Sequence, residues 1–121
     1  MTQSLDQIRA RYAWGCVHDV TDEYVNLAKA APSLIMTNGL MQTLAFLKSK
    51  GKVHHDKLLE DILGWLVKPP AACTFLSGKE FEKVMNDLAS RASSEQYLHA
   101  TREALAILKW IRHLAAAKKG G

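Results

Sequence analysis

LIMTNGLMQTLAFLKSKG, residues Leu34 to Gly51, is the stretch on which the fold turns. Leu34, Ile35, Met36, Leu40, Met41, Leu44, Phe46 and Leu47 recur at helical spacing and cover most of the circumference of one helix. Asn38, Gln42, Ala45 and Ser49 advance by three or four residues and fall on one narrow stripe. A helix that is apolar nearly all round belongs at the centre of a fold, and a buried unpaired amide costs about 1–3 kcal/mol. The reading is therefore one central helix, stopped at Gly51. Its polar stripe is expected to find partners on neighbouring helices or on another chain.

Toward the N-terminus, Leu5, Ile8, Tyr12, Cys16, Val20, Tyr24, Leu27 and Ala31 keep a three-or-four spacing, which predicts a first helix over Ser4 to Ala31. Thr21 and Asp22 could cap a fresh start inside it. Pro32 is expected to end this helix and to serve as an early position of the next. Downstream, Leu58, Leu59, Ile62, Leu63 and Leu66 make the buried face of a third helix from about Asp56 to Val67, with Asp56 as its cap. Lys68, Pro69 and Pro70 stop it and open the longest irregular segment, Pro69 to Leu76. Ser77 and Glu80 have capping-box spacing before a fourth helix with Phe81, Val84, Met85 and Leu88 on its apolar face, and Ser93 and Gln96 repeat that logic before a last helix over Ser94 to Ala117. No segment alternates as a strand does. The expected fold class is all-α, a compact bundle of five or six helices in a single domain over residues 1–121.

Composition limits what such a bundle can do. Hydrophobic residues make up 48% and charged residues 23%, the balance of a globular chain. Cys16 and Cys73 fit neither a zinc spacing nor a disulfide framework, which points to a reduced setting. Asp6, Arg9, Arg11 and Asp19 break up the first twenty residues, unlike a secretory leader, and no apolar run reaches the ~18 residues of a membrane span, so a cytoplasmic location away from membranes is expected. Net charge is +4, and its placement tells more than its size. Lys48, Lys50 and Lys52 form one acid-free cluster, and Lys109, Arg112, Lys118 and Lys119 crowd the last thirteen residues without an acid. Clustered cations on a balanced body suit a polyanion.

On the last helix, Tyr97, Ala100, Ala104, Ile107, Leu108, Ile111, Leu114 and Ala115 gather on one side as core, and His99, Arg102, Lys109 and His113 gather opposite them, with Arg112 at the border. That ridge runs roughly fifteen to twenty ångströms at 1.5 Å per residue, a length that meets successive phosphates. A solvated face with cations favourable at a helix C-terminus explains the same pattern. Trp110 lies between the two faces, and it, Trp14 and Trp65 are each either core edge or partner contact, with packing favoured over a base-stacking platform at such spacing. Enzymatic constellations are thin. His54, His55 and Asp56 sit together, but adjacent side chains on a helix diverge, and no catalytic set, metal site or cofactor is read here. Cys16 and His18 point apart, and Cys73 has no basic neighbour in sequence to lower its pKa. The candidate residues for binding a nucleic-acid backbone are Lys48, Lys50, Lys52, Arg102, Lys109 and Arg112, chosen from charge and helical phase.

The run Ala31-Pro32-Ser33-Leu34-Ile35, then Asn38-Gly39-Leu40, Gln42 to Leu47 and Lys48-Ser49-Lys50-Gly51, resembles the signature of the small subunit of the Cmr complex, the type III-B CRISPR effector that targets RNA. Tyr97, Thr101 to Leu105, Leu108 and Trp110 resemble the second motif of that family. The resemblance implies a small all-α protein without catalysis of its own. Copies of it would stack into a short filament inside the effector, beside the backbone subunits that grip the guide RNA and below the large polymerase-like subunit. It would help hold guide and target RNA in antiviral defence. The alternative is a helical adaptor that touches only protein.

Overall fold

Helix punctuation in this chain comes from caps and glycines more than from proline. The computed structural model describes residues 2–120 apart from positions 70 and 72. Six helices are present among them: α1 Leu5–Cys16, α2 Asp22–Asn38, α3 Leu40–Lys50, α4 Val53–Leu66, α5 Phe81–Ser90 and α6 Ser94–Gly120. The all-α class stands, and no strand occurs among the described residues. No described helix is long and apolar enough to cross a membrane.

The N-terminal helix is two helices. Ser4 and Gln7 close a reciprocal capping box at the start of α1. Thr21 Oγ1 then accepts from the Tyr24 N–H at 3.1 Å and begins α2, the fresh start that Thr21 suggested. Pro32, expected as a boundary, lies inside α2. A proline removes one i→i−4 bond and crowds the preceding turn, yet Ala28, Ala31 and Ile35 are all buried around it, and their packing carries the helix through.

The decisive stretch is also divided. Gly39 has φ +89° and ψ 164°, a conformation that suits a residue without a Cβ, and it separates α2 from α3. The single helix expected from Leu34 to Gly51 is therefore broken at Gly39, although Asn38 and Gln42 on either side of the break still line one groove. Asn38, Gln42, Ala45 and Ser49 are exposed and need no buried partners. Met36 and Phe46, expected inside, are exposed as well. The buried polar residue is instead Thr43, whose hydroxyl donates to the Gly39 carbonyl at 2.9 Å.

Further along, α4 begins at Val53 with Lys52 at its cap, and Asp56 sits in the first turn, where a carboxylate still faces the positive end of the helix. Pro70, read as part of the stop, lies outside the described residues. Ser77 does not cap α5: Glu80 holds that position, and Ser77 reaches Asp87 instead. Ser93 and Gln96 do form the reciprocal cap of α6.

Helix α6 packs on α1, α2 and α4, while α3 packs on α4 and α2 with α5 beside it. Leu40, Leu44 and Leu47 of α3, Leu58, Ile62, Trp65 and Leu66 of α4 and Ile107, Leu108 and Ile111 of α6 meet in the fully buried centre. The Met41 N–H donates to the Tyr97 hydroxyl at 3.1 Å and ties the start of α3 to the first turns of α6. Gly64 lets α1 approach α4: a Cβ there would lie 2.6 Å from the Tyr12 hydroxyl.

Candidate nucleic-acid interface

Two carboxylates inside the bundle, Glu103 and Asp61, engage cations of α1 and α4. Glu103 of α6 is 7% exposed, and its Oε2 accepts from Arg9 Nη2 at 2.8 Å while its Oε1 accepts from Trp65 Nε1 at 3.1 Å. Asp61 of α4 accepts from the Tyr24 hydroxyl at 2.6 Å and from Lys57 Nζ at 2.8 Å, and Lys57 also donates to the Cys16 carbonyl at 2.7 Å. The Tyr12 hydroxyl donates to the Asp61 main-chain carbonyl at 2.7 Å. Burial, with Asp61 adding to it, pushes both tyrosine hydroxyls far up in pKa, and burial above all pushes the Cys16 thiol up to about 12. The two tyrosine hydroxyls stay protonated and serve as fixed donors from α1 and α2 to α4.

The six cations predicted to meet RNA have no such partners. Lys48, Lys50, Lys52, Arg102 and Lys109 are exposed and Arg112 is half-buried. None of them forms an ion pair among the described residues, whereas Arg9, Lys57, Lys83, Arg91 and Lys119 each do. The six fall in two places. Lys48, Lys50 and Lys52 crowd the α3–α4 corner, with Lys48 Nζ 5.9 Å from the Phe81 ring centre and Lys50 Nζ 5.2 Å from that of Phe46. Arg102, Lys109 and Arg112 ride on α6, which packs chiefly on α1, α2 and α4. One ridge member is held by its surroundings: the ring of His99 is hydrogen-bonded to the Ala71 carbonyl, while His113 is exposed.

The chain end is held more tightly than the charge pattern suggests. Lys118 Nζ lies 3.0 Å from His18 Nδ1 and 4.9 Å from the Trp14 ring centre, and Lys119 pairs with Asp22 at 3.5 Å. The three tryptophans take three roles. Trp65 is fully buried, Trp14 is 47% exposed, and Trp110 is half-buried at the edge of the core.

At the α3–α4 corner the His54 and His55 rings lie 4.4 Å apart, and His55 is buried against Phe46 with its Nδ1 unpartnered. Burial, then the nearby His54, Lys50 and Lys52, lowers the His55 pKa. Asp56 is exposed one residue on, and no group of three or more ligating side chains comes together among the described residues.

The sequence reading did not single out Glu103 or Asp61. Each carried a signal: Glu103 stands beside Ala104 in the core phase of α6, and Asp61 stands beside Ile62 with Lys57 four residues before it.

A sequence model of the family described as CRISPR-associated protein (Cas_Cmr5) matches residues 5–118. The chain belongs to the Cmr5 family. The protein named CRISPR system Cmr subunit Cmr5 of Thermus thermophilus is 34% identical over 95 residues, covering 78% of this chain and 74% of that protein. The protein of the same name from Thermotoga maritima is 32% identical over 103 residues, 85% of this chain and 72% of that one. A crystal structure of a Cmr5 family protein from Thermus thermophilus superposes with TM-score 0.74 and 28% identity over 96% of this chain and 97% of that one. Each of the two stretches that resemble the family signature has a buried side and an exposed side. Leu40, Leu44 and Leu47 of the first and Glu103, Ala104 and Leu108 of the second are buried, whereas Asn38, Gln42, Lys48, Lys50 and Arg102 are exposed.

Proposed function

We propose that the chain is a non-catalytic small subunit of the Cmr effector complex and helps hold guide and target RNA. Copies of it stack head-to-tail into an inner filament, beside the backbone subunits and below the large polymerase-like subunit, in the cytoplasm. RNA is gripped through its phosphates by Lys48, Lys50, Lys52, Arg102, Lys109 and Arg112 without regard to sequence, because base pairing with the guide supplies the specificity. The observation that supports this most is that these six cations, five exposed and Arg112 half-buried, have no carboxylate paired to any of them among the described residues. Glu103, Asp61 and Asp87 are engaged by Arg9, Lys57 and Arg91, which leaves these charges for a partner.

The test is charge reversal of Arg102, Lys109 and Arg112 in the assembled complex. Three single-strand phosphate contacts contribute a salt slope of about 2 in log K against log salt, and the triple variant is expected to lose that much. Unchanged RNA affinity and slope would remove the site assignment. A second reading, an adaptor with protein contacts alone, is favoured by Met36, Trp14 and Leu98, exposed at 74%, 47% and 47%. On that reading the isolated chain shows no salt-dependent RNA binding.

A further inference from the structure

A cleft of about 310 Å³ opens between α1 and α6, lined by Asp6, Arg9, Ala106, Lys109, Trp110 and His113. Its volume is at the small end for ligand sites and far below what a duplex needs. Ala106 stands one turn before Lys109 and Trp110, and its short side chain keeps the cleft open. Lys109 and His113 are four residues apart on α6, so their exposed side chains are neighbours, and neither has a hydrogen-bond or ion-pair partner among the described residues. Beneath them, Arg9 Nη1 donates to Asp6 at 3.3 Å and Nη2 donates to Glu103 at 2.8 Å, while its Nε is buried without an acceptor. The one acid on the rim, Asp6, is thus already engaged by Arg9. Trp110 supplies a large half-buried ring whose inner edge packs on the core.

We propose that this cleft seats a single unpaired ribonucleotide of a bound RNA strand. The base stacks on the Trp110 indole, and the adjoining phosphate lies between Lys109 and His113. This rests on the RNA-holding role proposed above and adds to it a mode of contact. Stacking on an indole tolerates every base, since each has a π-face. The pairing of one ring with two adjacent cationic or hydrogen-bonding side chains in one cleft matches one nucleotide, whereas at the α3–α4 corner the Phe81 and Phe46 rings already carry the ammonium groups of Lys48 and Lys50.

The full-length chain carrying Trp14→Phe reports on the cleft by fluorescence, because its emission then comes from Trp110 and the fully buried Trp65. Titration with a short oligouridylate at low salt is expected to quench that emission saturably, and an RNA duplex is expected not to. Trp110→Ala is expected to weaken oligonucleotide binding about 5- to 150-fold and Trp110→Phe much less. Lys109→Glu, at an exposed position, is expected to abolish quenching with the thermal midpoint unchanged, which separates loss of the seat from loss of the fold. Oligouridylate that binds, by mobility shift, without changing Trp110 emission overturns the seat and leaves the proposed function standing. Oligouridylate that does not bind at all also overturns it, and the charge reversal in the assembled complex then decides the proposed function separately.

Discussion

At the seam between α1, α4 and α6, Arg9 gives both terminal nitrogens to carboxylates, whereas at the α3–α4 corner Lys48, Lys50 and Lys52 give theirs to none among the described residues. The two regions use the same residue types under different solvation. Within the seam a charge is held away from water, and only a partner with good geometry offsets that cost. Out at the corner the ammonium groups keep their hydration, and those of Lys48 and Lys50 lean on the Phe81 and Phe46 rings, contacts that hold a position and leave the charge uncompensated. Cations at the seam thus belong to the architecture, and those at the corner remain available to a polyanion.

The largest expected effect would come from Glu103→Ala, which leaves Arg9 with the exposed Asp6 as its one carboxylate and strands the Trp65 N–H. Denaturant titration should show a loss of about 3 kcal/mol, the low end for breaking a buried pair because Asp6 still compensates part of the charge. A midpoint near that of the unmodified chain would break the contrast, because the seam would then be no more structural than the corner.

Gly39→Ala probes the boundary from which α3 runs toward the corner. At φ +89° a Cβ is strained whatever the space around it, and a loss of about 1–3 kcal/mol is expected in the same titration. An unaffected chain would mean that α2 and α3 can join as one helix, as the sequence pattern suggested.

Asp87 extends the seam's rule to neutral donors. It is 2% exposed, and the Ser77 N–H at 2.8 Å, the Ser77 hydroxyl at 2.9 Å and Arg91 hold its carboxyl below the ordinary range. Because its pKa is lower folded than unfolded, it contributes stability that is complete above the ordinary carboxylate pKa and is lost as pH falls toward the depressed value. Asp87→Asn should flatten the acid limb of the stability–pH curve; an acid limb of unchanged slope would count against this.

The smallest effect on stability belongs to the corner. Replacing Lys48, Lys50 and Lys52 together by Glu should lower the unfolding free energy by no more than about 0.5 kcal/mol per site, the two in the last turn of α3 through the helix dipole, while RNA binding by the assembled complex loses about 2 from its salt slope. A collapse in stability would place these lysines with Arg9 as structural groups.

Local sequence settled the all-α class, the caps at Thr21 and Ser93 and the core phase of α6, because capping and 3.6-residue periodicity act over a few neighbouring positions. It also marked the cations, whose clustering needs no fold to be seen. Pro32 and Gly39 were weighed in the wrong order for a physical reason. A proline costs a helix one bond that buried neighbours can offset, while the backbone angles at Gly39 were set by how α2 and α3 must turn against α4 and α6. Glu103 and Asp61 escaped notice because a buried acid is recognised by its partners, and Arg9 and Tyr24 lie 94 and 37 residues away in the chain. Tertiary packing alone therefore decided which charges close the bundle and which are left facing out of it.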